Sequence, residues 1–240
     1  VTGASRDEAA HSPLQRTDPA AREAFIRDNT VLLPVPHVPA LRLHLAHEAL
    51  ALWSKTEEEL GEMGLPPPFW AFAWAGGQAL ARYILDNPVL VRDKRVLDFG
   101  AGSGIVAIAA AMAGAAAVTA AEIDGYAEIA IRLNARANGV DVTTDARDLL
   151  SLAREPYQVV LAGDVCYERP MAERVIAWLD GYAAEGAVVL IGDPGRSYLP
   201  RDRLEKLIEY QVPVSRDLED AEIKRAAVWR FAQRADQPRA

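Results

Sequence analysis

The chain has 240 residues, half of them apolar, and a formal charge of −8. That supplies one sizeable core, and the acidic balance argues against a nucleic-acid binder, which presents a basic face. The single cysteine excludes an internal disulfide framework and a multi-cysteine zinc site, and no apolar run reaches membrane-spanning length.

Residues 1–15 carry acids and lack the apolar core of a signal peptide, so a mobile tail on a cytoplasmic protein is expected. Residues 16–64 read as an accessory segment. DPAAREAFIRDN predicts a short helix capped by Asp18, with Pro19 in its first turn. Prolines at 34, 36 and 39 forbid helix, and LRLHLA alternates as a strand does. EALALWSKTEEELGEMG predicts a second helix, and LPPPF a rigid connector into a main domain over residues 65–235. There WAGGQALARYILDNP starts a helix that ends at Asn87-Pro88.

From Arg95 strands and helices alternate. RVLDFG, AAVTAAEI, DVTTDA, YQVVLAGD and AVVLIGD predict strands. SGIVAIAAAMAG, DGYAEIAIRLNARANG, RPMAERVIAWLDGYAAEG and RDRLEKLIEYQ predict helices. VPVSRDL and AAVWRFAQ predict two last strands with no helix between them, hence an antiparallel hairpin at one edge. The fold class that follows is α/β, with a Rossmann-like, doubly wound, mainly parallel sheet.

The first strand of this series runs into Gly100, Gly102 and Gly104, and a helix follows. Ile105 stands where a dinucleotide fingerprint needs its last glycine. Such a turn lets the backbone approach a ligand closely, and the helix start favours negative charge. Asp98 lies two residues before the first glycine, where a carboxylate repels a pyrophosphate and attracts an amine. Both properties suit a ligand with an ammonium and a carboxylate, as at the methionine end of S-adenosylmethionine (AdoMet). The second strand ends at Glu122, placed to accept ribose hydroxyls, while Asp124 caps the next helix. Asp148 and Leu149 follow the third strand as an acceptor for the adenine amine and an apolar wall for its ring. The histidines all precede residue 48 without ligand spacing, so no metal is assigned.

These residues resemble class I AdoMet-dependent methyltransferases over about residues 65–232. The resemblance implies a seven-stranded sheet with its last strand inserted antiparallel, and AdoMet across the carboxyl ends of the first strands. FWAFAWAGGQALARYILDNP, GDVCYE and LIGDPGR are closer still to the electron transfer flavoprotein β-subunit lysine methyltransferase family. One departure is Ala75, where that family commonly has proline after the second tryptophan. The resemblance implies a protein substrate, that flavoprotein subunit, while the acidic balance and the lack of a membrane-spanning run lead to the expectation of neither a nucleic-acid nor a membrane partner.

In such a sheet the fourth strand adjoins the first, so Asp164 emerges beside the methyl-donor loop. DVCY then looks like the D-x-x-Y/F signature of protein-lysine methyltransferases. Asp164 is expected to accept a hydrogen bond from the lysine amine and aim its lone pair. Tyr167 would wall the channel, facing the cation, or orient the amine through its hydroxyl. The plainer alternative is a turn cap and an ordinary packing residue. Cys166 reads as a small buried residue. By resemblance Trp74 lies at the cofactor, Gly76-Gly77 let the segment pass close to it, and Gln78 adds a polar contact. Trp70, Pro194 and Arg196 are placed on the acceptor rim, Asp193-Pro194-Gly195 being also a plain turn signal. Other acceptors, a ribosomal protein or a small amine, and a non-catalytic AdoMet-binding role stay open at this point.

Overall fold

A computed structural model describes residues 18–46, 67–214 and 223–232. The expected tail, the helix read in EALALWSKTEEELGEMG and most of VPVSRDL lie outside those residues.

Helix α1 (Pro19–Asp28) begins as expected, with the Asp18 side chain accepting from the Ala20 amide at 3.3 Å. Strands β1 (Val31–Val35) and β2 (Val38–Leu45) form an antiparallel hairpin turning at Pro36-His37. The proline-rich stretch is therefore strand on both sides of the turn. Pro34 falls next to the register irregularity of β1, where a missing amide is tolerated.

The main sheet has seven strands in the order β5-β4-β3-β6-β7-β9-β8. These are β3 (Arg95–Phe99), β4 (Ala117–Ala121), β5 (Thr143–Asp145), β6 (Val159–Gly163), β7 (Val188–Asp193), β8 (Leu204–Pro213) and β9 (Ile223–Phe231). Strands β3 to β7 pair in parallel, and β9 inserts antiparallel to both β7 and β8. Strand order reverses between β3 and β6, which is where an open α/β sheet leaves a crevice at its carboxyl edge.

Alternation along the strands divides the core. Val96, Val159 and Leu161 pack on the face covered by α2 (Ala75–Asp86), α3 (Ile105–Met112) and part of α4 (Gly125–Ala137). Leu97, Val160 and Ala162 pack on the face covered by α5 (Arg169–Ala184). The hairpin joins the first of these cores through Val35, Val38, Leu41 and Leu43. Gln78, expected near the cofactor, does its work here instead. Its side chain accepts from the His37 amide at 3.0 Å and donates to Ala73 O at 2.6 Å, pinning the hairpin to the start of α2.

The helix expected over RDRLEKLIEYQ is not formed. A short 3-10 turn (Arg201–Arg203) leads directly into β8. The ladder with β9 shifts between Lys206 and Ile208, so Leu207 is an extra residue. That bulge spaces Leu204, Leu207 and Ile208 as i, i+3 and i+4, which imitates a helical stripe. No helix among the described residues is long and apolar enough to cross a membrane.

Candidate active site

A cavity of about 450 Å³ opens at the carboxyl ends of β3, β4 and β6, a volume within the range of small-molecule sites. Of the residues singled out from sequence, Trp70, Trp74, Gly100, Gly102 and Glu122 line it. So do Asp148, Leu149, Asp164, Tyr167 and Arg196. Asp98, Gly104 and Pro194 do not form its wall.

The loop after β3 has positive φ at Gly100 (65°), Gly102 (51°) and Gly104 (79°). Any side chain at these positions would be strained. The loop is also tied to the next strand. Glu122 Oε2 accepts from the Gly102 amide at 3.0 Å, and Oε1 from the Asp124 amide at 3.2 Å. Burial pushes the Glu122 carboxyl above its ordinary range, and these amides oppose that shift. Each oxygen keeps acceptor capacity for a further donor such as a hydroxyl. Asp124 caps α4 as expected, accepting from the Tyr126 amide at 2.8 Å. Asp148 caps the short turn Leu149–Ser151, accepting from the Leu150 amide at 3.1 Å.

Asp98 is the clearest displacement from expectation. It alternates with Val96 on the α2/α3 face, so it lies beneath the loop and is 1% exposed. Its Oδ2 accepts from the Ala107 amide in α3 at 2.8 Å. Burial raises its carboxyl to about 8, which suits a buried acid that ties β3 to α3.

Asp164 follows β6 with φ of 58°, one of two non-glycine residues with positive φ among the described residues. Aspartate tolerates that region better than most residues, yet such strain concentrates at functional sites. Its amide donates to Gly192 O at 2.8 Å, and its Oδ2 accepts from the Gly77 amide at 2.7 Å. Oδ1 is buried without a hydrogen-bond partner. The cation nearest it is Arg196, whose Nη2 lies 3.6 Å away. Burial is the main cause that lifts the Asp164 carboxyl to about 7; Arg196 and the Gly77 amide pull it down, and Asp193 pushes it up.

Gly76 and Gly77 make this arrangement possible. A β-carbon on Gly76 would sit 2.4 Å from Gly192 O and 2.7 Å from Asp164 Oδ2. The glycine pair therefore brings α2 against the tips of β6 and β7 and against Asp164.

Aromatic side chains frame the opening. Trp74 Nε1 donates to Phe69 O at 2.9 Å, and the Phe69 ring lies 5.8 Å from that of Tyr167. Tyr167 is half exposed at the mouth. Trp70, expected at the rim, is 2% exposed and stacks on Tyr126, so it presents to the cavity from within the core. Phe69, Ile123 and Met171 also line the cavity and were not singled out from sequence. Phe69 had a signal in the aromatic stretch that it begins; the other two had none. Cys166 is fully buried, and burial pushes its thiol up to about 12, which suits an inert packing residue.

Pro194 shapes a turn in which Asp193 Oδ1 accepts from the amides of Gly195 and Arg196, both at 2.7 Å. That turn projects Arg196 toward Asp164 and over the Trp74 ring, with 5.9 Å to its centroid.

These features fit AdoMet better than a dinucleotide. Four acids, Glu122, Asp124, Asp148 and Asp164, line the cavity, where a pyrophosphate would meet repulsion. Ile105, at the start of α3 where a dinucleotide fingerprint needs glycine, is buried beside Gly77.

A profile of the ribosomal protein L11 methyltransferase (PrmA) family matches residues 79–165. The electron transfer flavoprotein beta subunit lysine methyltransferase of Mus musculus is 36% identical over 216 residues, covering 87% of this chain and 84% of that protein. Its Xenopus laevis counterpart is 35% identical over 237 residues, covering 96% and 95%. The Homo sapiens protein is 34% identical over 216 residues, covering 87% and 81%.

Proposed function

Because this chain belongs to the electron transfer flavoprotein β-subunit lysine methyltransferase family, we propose that its acceptor is a lysine amine of that flavoprotein subunit. The protein is an AdoMet-dependent methyltransferase. AdoMet supplies an electrophilic methyl group on a sulfonium that is already an excellent leaving group, so the protein's task is mainly positioning.

Glu122 would accept from the ribose hydroxyls, and Asp148 with Leu149 would hold the adenine. The backbone of residues 100–104 would receive the methionyl end, with Asp98 tying β3 to α3 beneath it. Trp74 covers this end of the cavity. Asp164 works on the acceptor. As a carboxylate it accepts an N–H of the neutral lysine amine and leaves the nitrogen lone pair directed at the methyl carbon. Desolvation in the cavity favours that neutral amine. Tyr167 and Phe69 form apolar walls that exclude water from the lysine stem.

The observation that carries this reading is Asp164 itself, held in strained backbone at a strand tip with one buried oxygen unpartnered. A turn cap would have no need of that free acceptor. The match to the ribosomal protein family stops at Val165, before Tyr167 and Arg196, so it bears on the methyl donor and leaves the acceptor undecided.

The test is transfer of labelled methyl from AdoMet to the purified flavoprotein subunit by wild type and by Asp164→Asn. The variant should bind S-adenosylhomocysteine within about threefold of wild type and lose ~10²-fold or more in turnover. Normal turnover by the variant would refute the role of Asp164. Efficient methylation of free amines with none of the subunit would refute the substrate.

A further inference from the structure

We propose that Arg196 is a positioning residue: it holds Asp164 in the charged form, so that the acceptor amine meets a hydrogen-bond acceptor rather than a donor. The inference rests on the reading of Asp164 given above and assigns the group that makes that reading work.

The surroundings of Asp164 do not by themselves favour a charge. The residue is 7% exposed; the Gly77 amide reaches its Oδ2 at 2.7 Å, and the Gly76 amide beside it adds a weaker pull toward the charged form. From the end of β7 comes a second buried carboxylate, Asp193, 1% exposed, whose Oδ2 also lacks a partner. Like charges buried together share a proton unless a cation intervenes. Cys166 and Tyr167, next along the chain, are both pushed up by burial and stay neutral. Glu122 lines the same cavity, and burial pushes its carboxyl up as well. Gly76 and Gly77 bring only backbone from α2. Arg201 faces Asp193. Among the described residues, Arg196 is the cation that pairs with Asp164.

The geometry suits a charge that acts without occupying the site. Nη2 of Arg196 lies 3.6 Å from Oδ1, beyond hydrogen-bond reach but within ion-pair range. A bidentate pair would consume both oxygens; this one leaves Oδ1 without a hydrogen-bond partner. The Asp193 turn fixes the Arg196 main chain, and the guanidinium, its Nε buried and unpartnered, lies over the Trp74 ring.

The protonation state of Asp164 decides whether the amine can attack. A carboxylate accepts N–H and leaves the nitrogen lone pair free. A carboxylic acid donates O–H, and the acceptor for that donor is the same lone pair that must reach the methyl carbon.

The experiment is a ¹³C-carboxyl titration of Asp164, assigned with Asp164→Asn, in wild type, Arg196→Met, Arg196→Gln and Arg196→Lys. S-adenosylhomocysteine is bound throughout, because its neutral thioether adds no charge. The pH profile of kcat/KM for the flavoprotein subunit is measured on the same proteins. Removal of the guanidinium charge should raise the Asp164 midpoint by ~1–3 units and carry the acid limb of kcat/KM with it, costing about tenfold or more near neutral pH. Arg196→Lys should restore most of both, and cofactor affinity should stay unchanged. An Asp164 midpoint unmoved in both neutral variants would overturn the proposal. A midpoint that moves while the rate profile stays would instead overturn the acceptor role of Asp164.

Discussion

Gly76→Ala tests whether the contact between α2 and the strand tips sets the position of Asp164. Gly76 has ordinary negative φ within a helix, so sequence logic favours the change: alanine there gains ~1 kcal/mol of helix propensity. The tertiary structure argues the opposite. The added β-carbon would lie 2.4 Å from Gly192 O and 2.7 Å from Gly192 C, and backbone atoms cannot rotate away. Ordinary contact begins near 3.4 Å, so helix and strand must part by roughly 1 Å. Overpacking of this kind costs ~1–3 kcal/mol, and a rigid backbone neighbour places it toward the upper end. The net effect is a loss of ~1–2 kcal/mol, or about 2–8 °C in Tm for a chain of this size. The same β-carbon lies 2.7 Å from Asp164 Oδ2, so the carboxylate must move as well. Displacement of a reacting group by about 1 Å can cost ~10²-fold in rate. Gly77→Ala is the control. Its β-carbon meets the Ile105 side chain at 3.0 Å and stands 3.9 Å from Asp164 Oδ2, so it should keep most of its turnover. Thermal unfolding and initial rates on all three proteins decide the matter. A Gly76→Ala protein that is more stable than wild type and turns over normally would refute the argument.

Glu122→Ala removes both the proposed ribose acceptor and the tie to Gly102, and should weaken AdoMet binding ~10- to 100-fold by calorimetry. Gln78→Ala leaves the His37 amide without its partner and should cost ~1–3 kcal/mol of stability while leaving the KM for AdoMet unchanged. The Asp98 carboxyl is raised from 3.8 to about 8 by burial, so the folded state holds its proton more tightly than the unfolded state does. Its stabilising contribution is complete below the lower value and is lost as pH rises through the upper one. Asp98→Asn cannot lose that proton. Its unfolding free energy should therefore fall less steeply than wild type between about pH 5 and 8.5, and parallel curves would refute the assignment. Asp124, Asp164 and Asp193 are raised alike in both proteins and cancel in the comparison, while Glu122, whose charge helps raise Asp98, is the one acid coupled to the substitution.

Much of the architecture was legible because its signals are local. Strand–helix alternation from Arg95, the glycine loop and the caps at Asp18 and Asp124 each depend on residues within a few positions of one another. RDRLEKLIEYQ misled for the same reason. A bulge at Leu207 in a ladder with β9 turns a strand pattern into a helical one, and the ladder partner lies some twenty residues away.

The site divides along the same line. The order of its chemical groups along the chain, with glycines at 100, 102 and 104, an acid closing β4, and Asp164 closing β6, could be read from spacing and resemblance alone. Which atoms face the cavity could not. Strand alternation sends Asp98 under the loop, and Gln78 is claimed by the hairpin. Gly76-Gly77 serve Asp164, and Arg196 reaches it from a turn held by Asp193. Sequence fixes a residue's type and its local geometry. The electrostatics of Asp164 depend on burial and on charges from β7 and the turn beyond it, and only folding brings those groups within a few ångströms.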